Sequence, residues 1–174
     1  GGGSSAPEQV AAAVRIAHQS DVPVSPRGAG TGLSGGAVAA VGGVVVALTR
    51  MKRVIEIDAA NRLAVVEPGV VNLDLSRAVA HLGLYYAPDP SSQIACTIGG
   101  NVAENSGGVH CLKYGLTLHN VLKVKGFTVQ GEPVDFGSDA LVGAGLDLLS
   151  VVVGADGMVA VPIETTLALV PNPP

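Results

Sequence analysis

The sequence predicts an α+β fold in which a small helix-strand unit precedes a larger unit with a mixed or antiparallel sheet. Apolar residues at helical spacing open the chain, and short β-branched runs of strand length recur through the rest. Glycine-rich loops separate these segments, and 24 glycines in 174 residues are about twice the usual share. We place the boundary near Thr49, so that residues 1–49 form the first unit and residues 50–174 the second.

The first unit opens with a helix predicted from about Ala6 to about Gln19. Ser5-Ala6-Pro7-Glu8 is a capping-box pattern with proline in the first turn. A short strand at Val22–Val24 and a buried strand at Val44–Leu48 then flank a glycine-rich loop. The apolar residues of the helix recur at helical spacing: Val10, Ala13, Val14 and Ala17.

The second unit begins with a predicted hairpin, because Val54–Ile57 and Leu63–Val66 are apolar runs around a polar turn. Asn72 is expected to cap a helix that runs to about Leu82 and stops at Gly83. Residues 146–153 fit a helix or a buried strand equally well. Further strands are predicted near residues 121–129 and 133–136, with a turn at Gln130-Gly131, and at residues 158–161 and 165–170.

Composition excludes several classes of function. The chain has 10 basic and 14 acidic residues, a net charge of −4, whereas a nucleic-acid surface needs a basic stripe. No apolar run reaches the ~18 residues of a membrane-spanning helix. Two cysteines, Cys96 and Cys111, without a signal peptide predict a reduced, cytoplasmic chain. The Gly1–Ser5 start and the Pro171–Pro174 end resemble linkers, so we expect a piece of a longer protein.

The most informative stretch is Tyr85–Asn120, where the glycine pairs Gly99-Gly100 and Gly107-Gly108 stand among short polar residues. Glycine pairs let a backbone approach another surface closely, and short polar side chains add directed hydrogen bonds. The pattern predicts a backbone wall against a flat, polar ligand. An ordinary glycine-rich surface loop is the alternative.

A second glycine-rich loop, Pro26–Gly36, contains a match to G-x-G-x-x-G at Gly30–Gly35. A Rossmann site needs a helix that opens at such a loop, and here the chain runs on into another strand. Successive N–H groups in a glycine-rich turn can hold an anion without a helix. Arg27 at the mouth of the loop and the hydroxyl of Thr31 add donors, so the loop predicts a phosphate site, with a flexible connector as the alternative.

Other reactive residues predict little chemistry. His110, Cys111 and His119 have a spacing that fits no familiar zinc site. Asp89 and Glu104 are possible acid-base groups, although acidic residues in such positions are more often caps or solvated. No serine or cysteine has a base at a recognisable spacing, so hydrolase chemistry is not expected.

Three segments resemble the FAD-binding (PCMH-type) domain of the FAD-linked oxidase family, the vanillyl-alcohol oxidase or p-cresol methylhydroxylase type. They are PRGAGTGLSGG at Pro26–Gly36, APDPSSQIACTIGGNVAENSGGVHCLKYG at Ala87–Gly115, and GADGM at Gly154–Met158. The resemblance covers nearly the whole chain from about Pro7 and implies two α/β subdomains with FAD stretched between them. Carried over by position, it implies that the pyrophosphate is wrapped by Pro26, Arg27, Gly28, Ala29, Gly30, Thr31, Gly32 and Leu33. It places Thr97, Ile98, Gly99, Gly100, Asn101, Ala103, Glu104, Asn105, Gly107 and Gly108 along the pyrophosphate, ribityl chain and flavin ring. It also places Pro88 and Ser92 near the flavin, Asp156 and Gly157 near the nucleotide, and the Val161 backbone at the adenine.

The same resemblance implies an activity, the FAD-dependent oxidation of a small 2-hydroxy acid such as glycolate or D-lactate. It assigns no catalytic residue to this chain, because the cap domain that supplies substrate-binding and catalytic residues lies outside it. Other oxidase subunits are expected as further partners. An isolated or remodelled domain without activity or bound flavin is the alternative, and a Rossmann-type NAD-binding domain is a third.

Two departures from the family pattern bear on the cofactor. Relatives that tether flavin covalently often carry a histidine in the first loop, and Arg27–Thr31 has none, so the resemblance implies non-covalent FAD. Close relatives carry G-S-E-G-x-L-G-V-x-T-E where residues 154–164 of this chain are GADGMVAVPIE. Pro162 removes an N–H there, so weaker binding on the adenine side is expected.

Overall fold

The computed structural model of this chain describes residues 7–138 and 146–172 and confirms the α+β class. The helices are α1 (Pro7–Gln19), α2 (Asn72–Val79), α3 (Ile98–Glu104), α4 (Cys111–Tyr114) and α5 (Leu149–Val152), with 3-10 turns at Ala80–Leu82 and Thr117–Asn120. The strands are β1 (Val24–Arg27), β2 (Val44–Ala47), β3 (Val54–Asp58), β4 (Leu63–Val66), β5 (Leu84–Tyr85), β6 (Val121–Phe127), β7 (Pro133–Gly137), β8 (Val161–Ala168) and β9 (Val170–Pro171). Among these residues, no helix is long and apolar enough to cross a membrane.

The first part of the chain is a parallel strand pair covered by α1. β1 and β2 pair from Val24 with Val44 to Arg27 with Ala47, and residues 28–43 connect them without a helix. The predicted helix is confirmed to Gln19, whereas the strand begins at Val24 rather than Val22. The second strand is only partly buried, since Val45 is 45% exposed while Val46 is buried. A small core joins α1 to this pair and to the start of β8: Val10, Val14, Val46, Leu48, Met51 and Val161.

The larger part is a five-stranded antiparallel sheet in the order β3-β4-β8-β6-β7. Its first two strands form the hairpin that the apolar runs predicted, and β6 and β7 confirm the next predicted pair. Helices α2 and α3 contribute to the main core through Leu75, Val79, Ile98 and Val102. This packing holds α3 firmly against β8, so the second glycine segment rests on the sheet.

Three predictions about elements need correction. Asn72 does not cap α2: the N-cap is Val71, which makes no side-chain cap, and Asn72 is buried. Gly83 does end this helical region in a left-handed conformation, as expected. The strand predicted at residues 158–161 is wrong, because Gly154, Asp156 and Gly157 all have positive φ and build a turn. The strand predicted at residues 165–170 begins four residues earlier, because β8 runs from Val161 to Ala168, and the undecided segment 146–153 contains the one-turn helix α5.

Pro162 is accommodated at an irregular point of the sheet. It lies opposite Gly126, where the register between β6 and β8 shifts. A missing N–H costs least at such an irregularity, which explains how a proline fits within a central strand. The predicted capping box at Ser5, the helix start at Ala6 and the linker-like residues 1–5 and 173–174 lie outside the described residues.

Candidate functional site

The two glycine-rich segments face each other across a cavity of about 90 Å³. The first loop follows β1, and α3 with the turn before it forms the opposite wall. The turn at residues 154–157 closes one side through Asp156. The cavity is lined by Pro26, Arg27, Gly28, Ala29, Gly30, Thr31, Gly32, Gly36, Ala37, Ser92, Cys96, Thr97, Gly100, Asn101, Ala103, Glu104, Ser106 and Asp156.

The two walls approach each other closely at two glycines. A Cβ on Gly28 would collide with the hydroxyl of Thr97, and a Cβ on Gly32 would displace the carboxylate of Glu104, the end of a flexible side chain. Gly30 has φ +75°, which L side chains rarely adopt. The glycines of the first loop therefore serve both its close approach to α3 and its backbone path.

The first loop offers hydrogen-bond donors that the protein does not use. Among the described residues, no backbone acceptor or side chain receives the N–H groups of residues 28–34. The Arg27 guanidinium makes no ion pair with a described carboxylate, and its Nη1 lies 3.8 Å from the position of a Cβ on Gly30. Backbone N–H groups and one arginine around a small cavity form a donor set suited to a diphosphate.

Two carboxylates, those of Glu104 and Asp156, line the same cavity. A carboxylate opposes a bare anion, but it accepts hydrogen bonds from hydroxyl groups. A ligand that carries both phosphates and hydroxyls therefore matches this lining better than inorganic phosphate does. FAD carries a diphosphate beside a ribose and a ribityl chain, so the residues present fit the cofactor that the resemblance implied.

Hydrogen bonds at both ends of α3 fix its position in the wall. Thr97 caps the helix, its Oγ1 accepting from the N–H of Gly100 at 3.4 Å. At the other end the N–H groups of Gly154 and Asp156 donate to the carbonyls of Val102 and Ala103, both at 2.8 Å. The turn at residues 154–157 is thus bonded to α3, and this bonding places Asp156 beside the first loop.

Two further cavities extend the site. A second cavity, about 40 Å³, lies against the first and shares Arg27, Gly28, Thr97 and Gly100 with it. A third, apolar cavity of about 240 Å³ lies between α1, β1 and the start of β8 and includes Val161. Pro26 and Gly157 line both the second and the third cavity, so the three are neighbours along one path.

Most of the residues predicted from the sequence line one of these cavities, and six do not. Ile98 is fully buried in the core, and Leu33 is fully exposed. Asn105 ends α3 in a left-handed conformation, with its Oδ1 accepting from the N–H of Leu118. Pro88, Gly107 and Gly108 line none of the described cavities; Gly107 packs against Leu116 and Gly108 against Asp89.

Sequence reasoning missed several cavity residues and one residue behind them. Gly36, Ala37, Cys96 and Ser106 line the first cavity, and Leu48, Pro68 and Pro162 line the second. The glycine-rich context of Gly36 and the polar run around Ser106 were signals that could have included them. No local signal marks Pro68, because its role arises from its contact with Gly99 across the fold. The residue behind the cavity is Asn72, which does not line it but donates a hydrogen bond to Asn101, a residue that does.

The outer edge of the second segment carries a separate polar cluster that lines none of the described cavities. His110 Nδ1 lies 2.6 Å from Asp89 Oδ2, and Tyr85 and Tyr114 meet edge to face at 6.0 Å. Burial, and then the hydrogen bond with Tyr114, raises the pKa of Tyr85 to about 12. The same bond, followed by one with Lys113, lowers the pKa of Tyr114. Among the described residues, no group of three His, Cys, Asp or Glu side chains could hold a metal ion.

Comparisons with known proteins bear on the identity of the ligand. A family model described as "FAD binding domain" matches residues 5–137. The chain is 56% identical over 167 residues to the glycolate oxidase subunit GlcD of Escherichia coli K12, which covers 96% of this chain and 34% of that protein. It is 38% identical to a D-lactate dehydrogenase of Anaerostipes hadrus, covering 95% of this chain and 35% of the relative. The structure of an alkyldihydroxyacetonephosphate synthase superposes with a TM-score of 0.84 at 22% identity, over 97% of this chain and 33% of that one, a likeness of fold. The chain spans about a third of the length of these relatives.

Proposed function

This chain belongs to the FAD binding domain family, and from that premise we propose that it holds the flavin of an enzyme that oxidises a small 2-hydroxy acid. The substrate class follows from the relatives named glycolate oxidase, D-lactate dehydrogenase and D-2-hydroxyglutarate dehydrogenase. Glycolate and D-lactate are the substrates we favour. The observation that carries the proposal is the meeting of the two glycine-rich segments around one donor-rich cavity.

The cavities suggest how FAD would lie. The N–H groups of residues 28–32 and the Arg27 guanidinium would hold the diphosphate, since they have no other partner among the described residues. The carboxylates of Glu104 and Asp156 would accept hydrogen bonds from ribityl and ribose hydroxyls. The apolar cavity beside Val161 would take the adenine, a flat ring that fits an apolar slot.

Bound FAD supplies the acceptor for the electrons that leave the substrate. The residues of this chain would bind and orient it. We propose that the groups that bind the substrate and remove its hydroxyl proton lie in the remaining two thirds of the longer protein. We also propose that the whole protein works with other oxidase subunits in the cytoplasm, on the basis of relatives named as subunits and of two free cysteines.

Titration of the purified chain with FAD tests the proposal directly. We expect quenching of flavin fluorescence with saturation, and no comparable binding of NAD. Because no histidine lines the two cavities around the first loop, acid precipitation should release all of the flavin into the supernatant. A folded chain that takes up no FAD would refute the function, and flavin that stays with the pellet would refute the non-covalent mode.

The Rossmann alternative fails on the fold. Residues 28–43 lead from β1 to the parallel strand β2 with no helix between them, so no helix N-terminus opens at the glycine motif. The remaining alternative, a domain that folds without binding flavin, is the negative outcome of the same titration.

A further inference from the structure

Asn72 is a polar side chain that the fold buries almost completely, at 1% exposure. It was expected to cap α2, but it is the first residue of the helix, and the helix has no side-chain cap. Its Nδ2 donates to the carbonyl oxygen of Pro88 at 2.9 Å and to Oδ1 of Asn101 at 3.0 Å. Asn72 thus joins the loop that leads to Ser92 with the helix that forms the cavity wall.

The Pro88 carbonyl fixes which groups donate and which accept in this chain of hydrogen bonds. A carbonyl oxygen can only accept, so Asn72 must turn its amino group towards Pro88. The same amino group then faces Asn101, which must present its oxygen in return. Asn101 then donates from its own Nδ2 to Cys96 Sγ at 3.4 Å, and the Cys96 thiol in turn donates to Asn101 Oδ1 at 3.8 Å.

Asn101 and Cys96 both line the main cavity, whereas Asn72 lines none of the described cavities. The orientation of the Asn101 carboxamide therefore decides which of its two polar atoms lies nearer to Cys96 Sγ, and here the nearer one is the donor, Nδ2. Burial makes the alternative orientation costly, because a flipped Asn101 would set its amino group against that of Asn72.

We propose that Asn72 is a positioning residue for the cofactor: it fixes the orientation of the Asn101 carboxamide in the wall of the main cavity, with Nδ2 towards Cys96, and it ties the Pro88 loop to α3. This inference rests on the proposed function, and it adds a residue that touches neither FAD nor substrate. Asn72 acts through Asn101, so disturbing either should impair the same step.

Asn72→Asp tests the inference, because aspartate has nearly the same shape but, when ionised, cannot donate to Pro88 or Asn101. Asn120→Asp is the matched control: Asn120 is also buried, at 4% exposure, and donates to the carbonyls of Tyr114 and Leu116, which line none of the described cavities. We expect both variants to lose thermal stability, and only Asn72→Asp to weaken FAD binding, by about ten-fold or more. At saturating FAD, only Asn72→Asp should alter the visible absorbance and circular dichroism of the bound flavin.

Asn101→Asp keeps an acceptor for Asn72 but removes the donor beside Cys96, so it covers the case in which Asn72→Asp does not fold. We expect it to weaken FAD binding comparably, and the double variant to bind no worse than the weaker single one. The inference is overturned if folded Asn72→Asp binds FAD with the wild-type affinity and spectrum, if Asn120→Asp weakens binding equally, or if Asn101→Asp binds normally. Failure of the wild-type chain to bind FAD would instead refute the proposed function.

Discussion

Gly99 and Gly100 are neighbours in α3 that serve opposite purposes, and replacing each by alanine separates these purposes. A Cβ on Gly99 would lie 2.6 Å from Pro68 Cβ and 3.1 Å from Pro68 O. A Cβ on Gly100 would meet only Thr97 Oγ1, at 3.4 Å, and Gly100 lines the cavity. The first glycine, which lines only the second cavity, is therefore required by packing against Pro68, whereas the second leaves space for a ligand in the main cavity.

The distances give the expected size of each effect. Carbon atoms pack at about 3.5–4.0 Å, so Gly99→Ala creates an overlap of roughly 1 Å, which costs about 1–3 kcal/mol in a tight core. It also displaces the N–H of Gly99 from Pro68 O, to which it donates at 2.8 Å. Gly100→Ala creates no such overlap and should gain about 0.5–1 kcal/mol from helix propensity. At about 2–4 °C per kcal/mol, the midpoint of thermal unfolding should rise by about 1–4 °C for Gly100→Ala and fall for Gly99→Ala.

Flavin binding should rank the two variants in the reverse order. The methyl group of Gly100→Ala enters the cavity, so we expect FAD affinity to fall by at least about ten-fold, or 1.4 kcal/mol. Gly100→Val, with a branched side chain, should abolish binding. Circular dichroism melts without FAD measure the stability, and quenching of flavin fluorescence measures the affinity. A folded Gly100→Ala chain with unchanged FAD affinity would refute the assignment of this wall to the cofactor.

Three further substitutions test other parts of the structure. Glu67→Gln should lower the free energy of unfolding by about 2 kcal/mol in denaturant titrations, because buried Glu67 accepts hydrogen bonds from Arg53 at 2.7, 2.8 and 3.0 Å. The control, Asp74→Asn, breaks the exposed ion pair with Arg77 and should change the free energy of unfolding by less than about 0.5 kcal/mol. Equal effects of the two substitutions would contradict this account. Thr165→Val should leave stability unchanged or raise it by up to about 1 kcal/mol in the same assay, since the buried Thr165 hydroxyl has no hydrogen-bond partner, and a clear loss would mean that the hydroxyl is satisfied. Arg27→Ala should weaken FAD binding about ten-fold and reduce its salt dependence without changing the melting curve, and unaltered salt dependence would exclude Arg27 from the diphosphate.

Local patterns predicted the elements whose residues interact mainly with their sequence neighbours. The helix that ends at Gln19 and the hairpin at Val54–Val66 were recognisable because period and turn signals lie within a few residues. Helix α3 was missed, since two adjacent glycines lower helix propensity and a polar run predicts a loop. It forms because Ile98 and Val102 are buried in the core, a tertiary effect that no local window contains.

The sequence by itself determined the class of fold, the two glycine-rich segments and, through their resemblance to a family, the cofactor. Only the tertiary structure decided which of those residues face one cavity and which serve packing. Gly99 and Gly100 illustrate the difference, because identical residues one position apart point to Pro68 and to the ligand space. Asn72 illustrates it again, since its side chain looks like a helix cap in sequence and acts across the fold instead. Contacts between residues far apart in the chain depend on how the elements pack, and that packing is a property of the whole chain rather than of any segment.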